Sequence, residues 1–194
     1  YEAYKPTKKF STDGIVQPFS DGPLTNHLST ENVYIHMINM AKRYVYISSP
    51  YLIIDNELNT ALKVAALSGI DVRIMLPEVP DKKLVFYVSQ SYYKELLDAG
   101  VKIYQYIPGF LHAKSILVDD EIGMIGTANL DYRSLYLHFE ISCFLYQSSA
   151  VTDFAQDMLH VIDHSKEITQ KEYRKIAWYK KLIAYVLRAV APMI

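Results

Sequence analysis

The chain has 194 residues, 51% of them hydrophobic and 21% charged, with a formal net charge of −1. That length and apolar content allow one domain with a proper core and exclude a disordered chain. The near-neutral balance hides an asymmetry: residues 171–194 carry +5 and residues 1–170 carry −6, so no nucleic acid is expected as partner, and an anionic surface met at one end is.

Cys143 is the single cysteine and lies in the apolar run ISCFLY. It can form neither an internal disulfide nor a thiolate metal site; we expect a buried core thiol in a reducing compartment. No run of about 18 apolar residues is free of charge, so no transmembrane helix is expected. The first residue is Tyr1 rather than Met, and the chain reads as a piece of a longer product.

Residues 1–13 are polar and aperiodic and are expected to form a leader or linker. Ile15-Val16 suggests a short strand before the Asp21-Gly22-Pro23 turn. From Glu31 to Arg43 the apolar residues Val33, Met37 and Met40 recur at helical spacing, with Ser29 or Thr30 as cap and His36 off the stripe. Met37 and Met40 are expected in the core. Tyr44–Ser49 reads as a buried strand, Leu58–Ser68 as a helix closed by Gly69, and Val72–Leu76 as a strand ended by Pro77. A longer helix, Leu84–Ala99, and a strand, Val101–Tyr106, complete a β-α-β-α-β alternation. Such alternation predicts right-handed crossovers and a largely parallel sheet covered on both faces. Then Ala113–Val118, Ile122–Ile125 and Glu140–Tyr146 read as strands without helices between them, hence antiparallel neighbours. A last body helix covers Val151–Ser165, with Phe154, Met158 and Val161 or Ile162 at helical spacing. His160 and His164 on it are four apart but have no third ligand in view, and no metal is expected there.

The chemistry concentrates in Leu111–Ser134, LHAKSILVDDEIGMIGTANLDYRS. On an extended chain His112 and Lys114 project side by side, and Thr127 and Asn129 can share a side. One proton carrier or nucleophile, one fixed cation and two neutral hydrogen-bonding groups suit a phosphodiester whose negative charge grows in the transition state. Asp119 is an odd number of residues from His112, so on an unbroken strand it faces away; with Asp120 and Glu121 it reads as supporting or turn-forming.

These residues carry a resemblance. His112, Lys114, Asp119, Gly126, Thr127 and Asn129 match H-x-K-x4-D-x6-G-[ST]-x-N, the signature of the phospholipase D superfamily. The segments VQPFSDGP, YVYISSPYLIIDNEL, ALSGIDVRIMLP, NLDYRS, HFEIS and YRKIAWYKKLIAYVLRAVAP extend it, and the chain over about residues 14–192 resembles the C-terminal half of bacterial cardiolipin synthases. The resemblance implies a mixed β-sheet between helix layers, two such units making one active site. It implies transfer of a phosphatidyl group from one phosphatidylglycerol to another through a phosphohistidine, with glycerol released and neither metal nor cofactor required. Imidazole titrates near working pH and can serve as nucleophile or as general acid and base.

Within that resemblance His112, Lys114 and Asp119 are the expected catalytic set, and Thr127 and Asn129 bind substrate. Gly126 supports them, and Glu140 is expected to hydrogen-bond the histidine and fix its tautomer. The flanking Phe139 and Ile141 make an unpaired carboxylate there costly. Asp131, Tyr132, Arg133 and Ser134 follow as the pocket border or as a locally paired turn. One histidine cannot carry the phosphoryl group and protonate the leaving group at once. A second His-Lys pair is therefore expected from an N-terminal half outside this chain, or from a partner chain. His112 takes the acid–base role by analogy. The alternative is a homodimeric phosphodiesterase or nuclease, with water in place of the lipid hydroxyl, and a further one is a non-catalytic membrane-binding module.

Residues 171–191 read as a basic amphipathic helix with Ile176, Tyr179, Leu182, Ile183, Val186 and Val190 on one face and Trp178 beside it. Aromatic residues flanked by Lys and Arg suit an anionic membrane, here the cytoplasmic face of a bacterial cell membrane; a helix packed on the body or on the half outside this chain is the other reading.

Overall fold

The computed structural model describes residues 5, 7–8, 13–24 and 29–190. Most of the expected leader, 1–13, lies outside the described residues. The chain forms β1 (Ile15–Asp21), α1 (Ser29–Met40), β2 (Tyr44–Ser48), a short β3 (Leu52–Ile53), α2 (Asn56–Leu67), β4 (Asp71–Pro77), α3 (Lys83–Asp98) and β5 (Lys102–Tyr106). It continues as β6 (Ser115–Val118), β7 (Ile122–Gly126), β8 (Leu130–Asp131), a π-helical turn (Arg133–Leu137), β9 (Glu140–Tyr146), α4 (Ser149–Asp163), β10 (Ser165–Ile168), α5 (Gln170–Lys175) and α6 (Trp178–Ala189).

Eight strands form one sheet in the order β1-β9-β7-β6-β2-β4-β5-β10, and β3 pairs with β8 separately. Only β2, β4 and β5 run parallel within the large sheet; β6, β7, β9, β1 and β10 join antiparallel. The sheet is thus mixed, as expected: the β-α-β-α-β stretch supplies the parallel strands β2, β4 and β5, and the later strands join antiparallel. The three residues between β6 and β7 are too few for a crossover, which needs a dozen or more, so these two strands pair as an antiparallel hairpin.

Strand alternation divides the core between the two faces. Val45, Ile47, Val72, Ile74, Ile103 and Ile116 pack against α1, α2 and α3 through Tyr34, Leu58, Leu62, Tyr92, Tyr93 and Leu96. Tyr46, Met75, Leu117 and Leu145 meet Val151, Phe154, Met158 and Ile162 of α4. Pro18, which lacks a ladder donor, falls in β1 at the sheet edge.

Several local expectations are corrected. At the start of α1 the Thr30 amide donates to the Asp21 carboxylate at 2.7 Å, so the cap comes from the end of β1. Met37 is in the core but Met40 is exposed, because the buried stripe of α1 runs through Thr30, Tyr34, Met37 and Ile38. Cys143 is only half-buried. The polar strand β10 replaces the end of the expected Val151–Ser165 helix. The tail is two helices, broken where Ile176 takes an extended conformation, and α5 opens with a capping box between Thr169 and Glu172. That Thr-x-x-Glu spacing was legible in the sequence.

Asp119 holds the hub of the sheet. Asp119 and Asp120 both have positive φ, 56° and 59°, and the Glu121 amide donates to the Val118 carbonyl at 3.0 Å, a tight turn joining β6 to β7. The Asp119 carboxylate then accepts the main-chain amides of Lys42 at 2.7 Å, Arg43 at 2.9 Å and Tyr44 at 2.8 Å. Asp120 adds bonds from the Arg43 guanidinium at 3.0 Å and the Tyr44 hydroxyl at 2.6 Å. The turn is thereby locked to the entry of β2.

A second buried polar group lies beside α2. The Tyr136 hydroxyl donates to Asp55 at 2.5 Å, while Asp55 also caps α2 through the Leu58 amide at 2.9 Å. Glu31 is buried against this pair; burial, then its hydrogen bond with Asp55, raises its pKa to about 8.

Three outcomes are expected. Asp119→Ala leaves three amides without an acceptor and should lower stability by about 2–4 kcal/mol in urea melts, with Asp119→Asn in between. A Cβ on Gly126 would lie 2.3 Å from the Ser142 hydroxyl and 2.8 Å from the Ile141 carbonyl. Gly126→Ala should therefore force β7 and β9 apart and cost about 1–3 kcal/mol. Protonated Glu31 contributes stability that is complete below its ordinary value of 4.5 and is lost as pH rises through about 8. Urea midpoints at pH 5 and pH 8.5 should therefore differ in the parent, and the difference should shrink in Glu31→Gln; an unchanged difference would show that Glu31 is not the titrating group.

Candidate active site

β6 runs antiparallel to β2 with Ser115 opposite Ser48, so the residues before β6 emerge at the carboxyl ends of the parallel strands. Ligand sites in open α/β sheets sit at that edge. The strand begins at Ser115 rather than Ala113, and residues 111–114 form a lead-in outside the ladder. Leu111 anchors this lead-in to the α4 core, while His112 is exposed and stacks on Phe110 with ring centroids 5.3 Å apart. Lys114 is half-buried, and its Nζ donates to the His112 carbonyl at 2.6 Å. Its own carbonyl accepts the Gly126 amide at 3.0 Å, which ties the lead-in to the end of β7. Burial holds the Lys114 pKa below the ordinary lysine value; the negative charges of Glu140, Asp131 and Asp81 oppose that shift.

Thr127 and Asn129 follow β7. The Thr127 hydroxyl donates to the Glu140 carboxylate and accepts the Ile141 amide at 3.0 Å. Asn129 donates to the Ser134 hydroxyl at 3.1 Å, and its side-chain oxygen is buried with no partner. Buried polar atoms are rarely left so, and the group retains unused hydrogen-bonding capacity. Asn129 lines a pocket of about 190 Å³ together with Tyr51, Lys82, Arg133, Ser134 and His138.

The sequence reading missed what fixes this loop. The Ser49 hydroxyl accepts the Leu130 amide at 3.0 Å, β8 pairs with β3, and Asp131 accepts the Ser134 amide at 2.7 Å. The signal available was Ser48-Ser49-Pro50, small polar residues closing a parallel strand.

Two assignments change. Glu140 does not bond His112: its carboxylate binds Thr127 and lies 3.7 Å from Nδ1 of His138. The register contributes to this, since Ser142 lies opposite Gly126 and the Thr127 amide donates to the Ile141 carbonyl at 3.0 Å, which brings the start of β9 beside Thr127. Glu140 is buried as expected, but its neighbours Phe139 and Ile141 point to solvent. Asp119 lies at the other end of β6 from His112, and its carboxylate holds main-chain amides. His112, Lys114, Gly126, Thr127, Asn129 and Glu140 are gathered at one edge; Asp119 is not.

Among the described residues, the group of carboxylates near enough to share a cation is Glu31, Asp55 and Glu57, whose oxygens lie within 4.8 Å of one another. It belongs to the Tyr136 network rather than to the His112 edge. The rings of His160 and His164 are tilted against each other with centroids 4.2 Å apart and have no third ligating residue grouped with them among the described residues.

Residues 34–162 match the family described as cardiolipin synthase, PLD-like domain. A cardiolipin synthase from Halalkalibacterium halodurans is 45% identical over 182 residues, covering 94% of this chain and 36% of that protein. The chain thus spans about a third of the length of this relative. Among solved structures, a phospholipase D family member, Nuc from Salmonella typhimurium, superposes with a TM-score of 0.68 at 16% identity, over 81% of this chain and 100% of that one. A phosphatidylserine synthase from Haemophilus influenzae Rd KW20 also gives 0.68, at 18% identity, over 92% of this chain and 45% of that one. These two show the fold, a mixed sheet between helices of the phospholipase D type. The sequence matches show the family, and the chain belongs to the phospholipase D-like domains of cardiolipin synthases.

Proposed function

We propose that this chain is the C-terminal catalytic half of a bacterial cardiolipin synthase, with residues 14–170 as the catalytic unit, 171–194 as a basic tail and residues 1–13 as leader or linker. The observation that carries the reading is an exposed imidazole, His112, beside a half-buried ammonium, Lys114, on a chain 45% identical to a named cardiolipin synthase. Asp119 contributes by fixing the sheet that presents them.

The reaction runs in two displacements. A histidine nitrogen attacks the phosphorus of one phosphatidylglycerol, the phosphorus–oxygen bond to the terminal glycerol breaks, and a second histidine gives that oxygen its proton. The free hydroxyl of another phosphatidylglycerol then loses its proton to the second histidine and attacks the phosphohistidine, which forms cardiolipin and frees the first ring. His112 serves as the second, acid–base histidine. Lys114, Thr127 and Asn129 bind the non-bridging oxygens, where a fixed cation and preorganised donors act in a partly desolvated site. Gly126 admits the close approach of β9 that brings Glu140 to Thr127. No metal or cofactor is assigned a part.

The complementary His-Lys pair comes from outside this chain, in keeping with the greater length of the named relative. The exposed Leu137, Phe139 and Ile141 beside the site support a covering partner. Lipid substrates put the proposed reaction at the bacterial cell membrane.

In the full-length protein, His112→Ala should cut cardiolipin formation from labelled phosphatidylglycerol by at least ~10²-fold. Its melt should be unchanged, because the ring is exposed. Lys114→Met should do the same. Undiminished cardiolipin would overturn the site, and phosphatidic acid as sole lipid product would turn the reading from transfer to hydrolysis.

A further inference from the structure

The last helix is docked by its charged side. Ala184 of α6 is buried against α3, with Lys181, Leu187 and Arg188 half-buried around it. The Arg188 guanidinium bonds Glu95 at 2.6 Å and lies 3.7 Å from the Tyr92 ring centroid. Lys181 donates to the Arg174 carbonyl at 3.3 Å and lies 4.5 Å over the ring of Tyr173. The apolar side is therefore left outward: Trp178, Leu182 and Val186, four apart, are 75%, 55% and 63% exposed, with Tyr179, Ile183 and Val190 alongside. A surface helix of a globular protein shows the opposite arrangement, its apolar stripe turned to the core.

The chemistry around this face selects its occupant. Lys175 and Lys180 line an open groove of about 440 Å³ with Lys83, Phe86 and Tyr87 of α3. Lys83 follows Lys82, which lines the pocket holding Asn129, so the groove and the site adjoin at the start of α3. A second copy meeting this face head-on would bring two segments of +5 together, which opposes a symmetric contact. An apolar face rimmed by lysines and carrying Trp and Tyr instead complements anionic headgroups above acyl chains. At 12 residues α6 is about 18 Å long, too short to span a hydrocarbon core of about 30 Å. No helix of the described residues is long and apolar enough to cross a membrane.

We propose that the outward face of α6 lies in the headgroup region of an anionic bilayer, with Lys83, Lys175 and Lys180 on the lipid phosphates, so that the site edge is held beside the lipid surface. This deepens the proposed function by naming the surface that meets the membrane, and it rests on the membrane setting given there.

The test uses the 194-residue chain and vesicles of phosphatidylcholine with or without phosphatidylglycerol. Trp178 is the only tryptophan, so its emission reports this face directly. With phosphatidylglycerol present, the emission should shift to the blue and be quenched by brominated acyl chains. The double variant Leu182→Glu, Val186→Glu should lower partitioning about tenfold or more with an unchanged melt, since both side chains are solvent-facing. The triple variant of Lys83, Lys175 and Lys180 to Gln should lose the preference for phosphatidylglycerol. Equal partitioning of parent and double variant overturns the proposal. So does a concentration-dependent dimer that the double variant abolishes, with Trp178 unaffected by vesicles, which would assign the face to protein. None of these readouts needs turnover, so they stand or fall apart from the phosphatidyl-transfer reading.

Discussion

Everything at the site edge depends on where β6 sits, and Asp119 decides that. One carboxylate takes three consecutive main-chain amides at the entry of β2, so the turn after β6 cannot slide along its neighbour. The register that follows pairs Val118 with Val45 and Ser115 with Ser48. A slip of one residue would invert every side chain of β6 and turn Ile116 away from the helices it packs on. The lead-in carrying His112 and Lys114 emerges beyond Ser48, where the chain leaves the ladder at Pro50 and leaves the edge open. The acidic member of the motif thus acts from the opposite end of the strand, through geometry.

The edge is an open surface on a bonded base. Its supports are buried and mutually bonded: Glu140 with Thr127, Ser134 with Asn129, Ser49 with Leu130. The exposed or half-buried groups above them are the His112 ring, Lys114 and the pocket side chain Lys82. Burial lowers the Lys114 pKa and the charges of Glu140, Asp131 and Asp81 oppose that shift, so the ammonium stands partly desolvated at this edge. Beside this edge the apolar side chains of Leu137, Phe139 and Ile141 are exposed.

The tail shows the same division of labour between charge and apolar surface. The ion pair of Arg188 with Glu95 and its contact with Tyr92 use polar groups to attach α6. Glu95 also accepts from Asn59 at 2.9 Å, so the attachment reaches α2 and the body as a whole. What the helix would ordinarily bury is displayed, and the lysines that would ordinarily be scattered are gathered in the groove that opens toward the pocket.

Much of this was legible from residue order. The alternation of strands and helices, the Gly and Pro stops and the spacing of the motif follow from local periods of two and 3.6 residues, and these are written in the chain itself. So were the mixed α/β class and the amphipathic tail. Three things depended on which distant segments meet. Glu140 serves Thr127 rather than His112, and the β7–β9 register contributes by bringing the start of β9 beside Thr127. Ser49 and Ser134 hold the Asn129 loop from elements remote or irregular in sequence. The orientation of α6 was likewise undetermined: an amphipathic pattern says that two faces differ, while only packing against α3 and the reach of Glu95 say which of them turns outward.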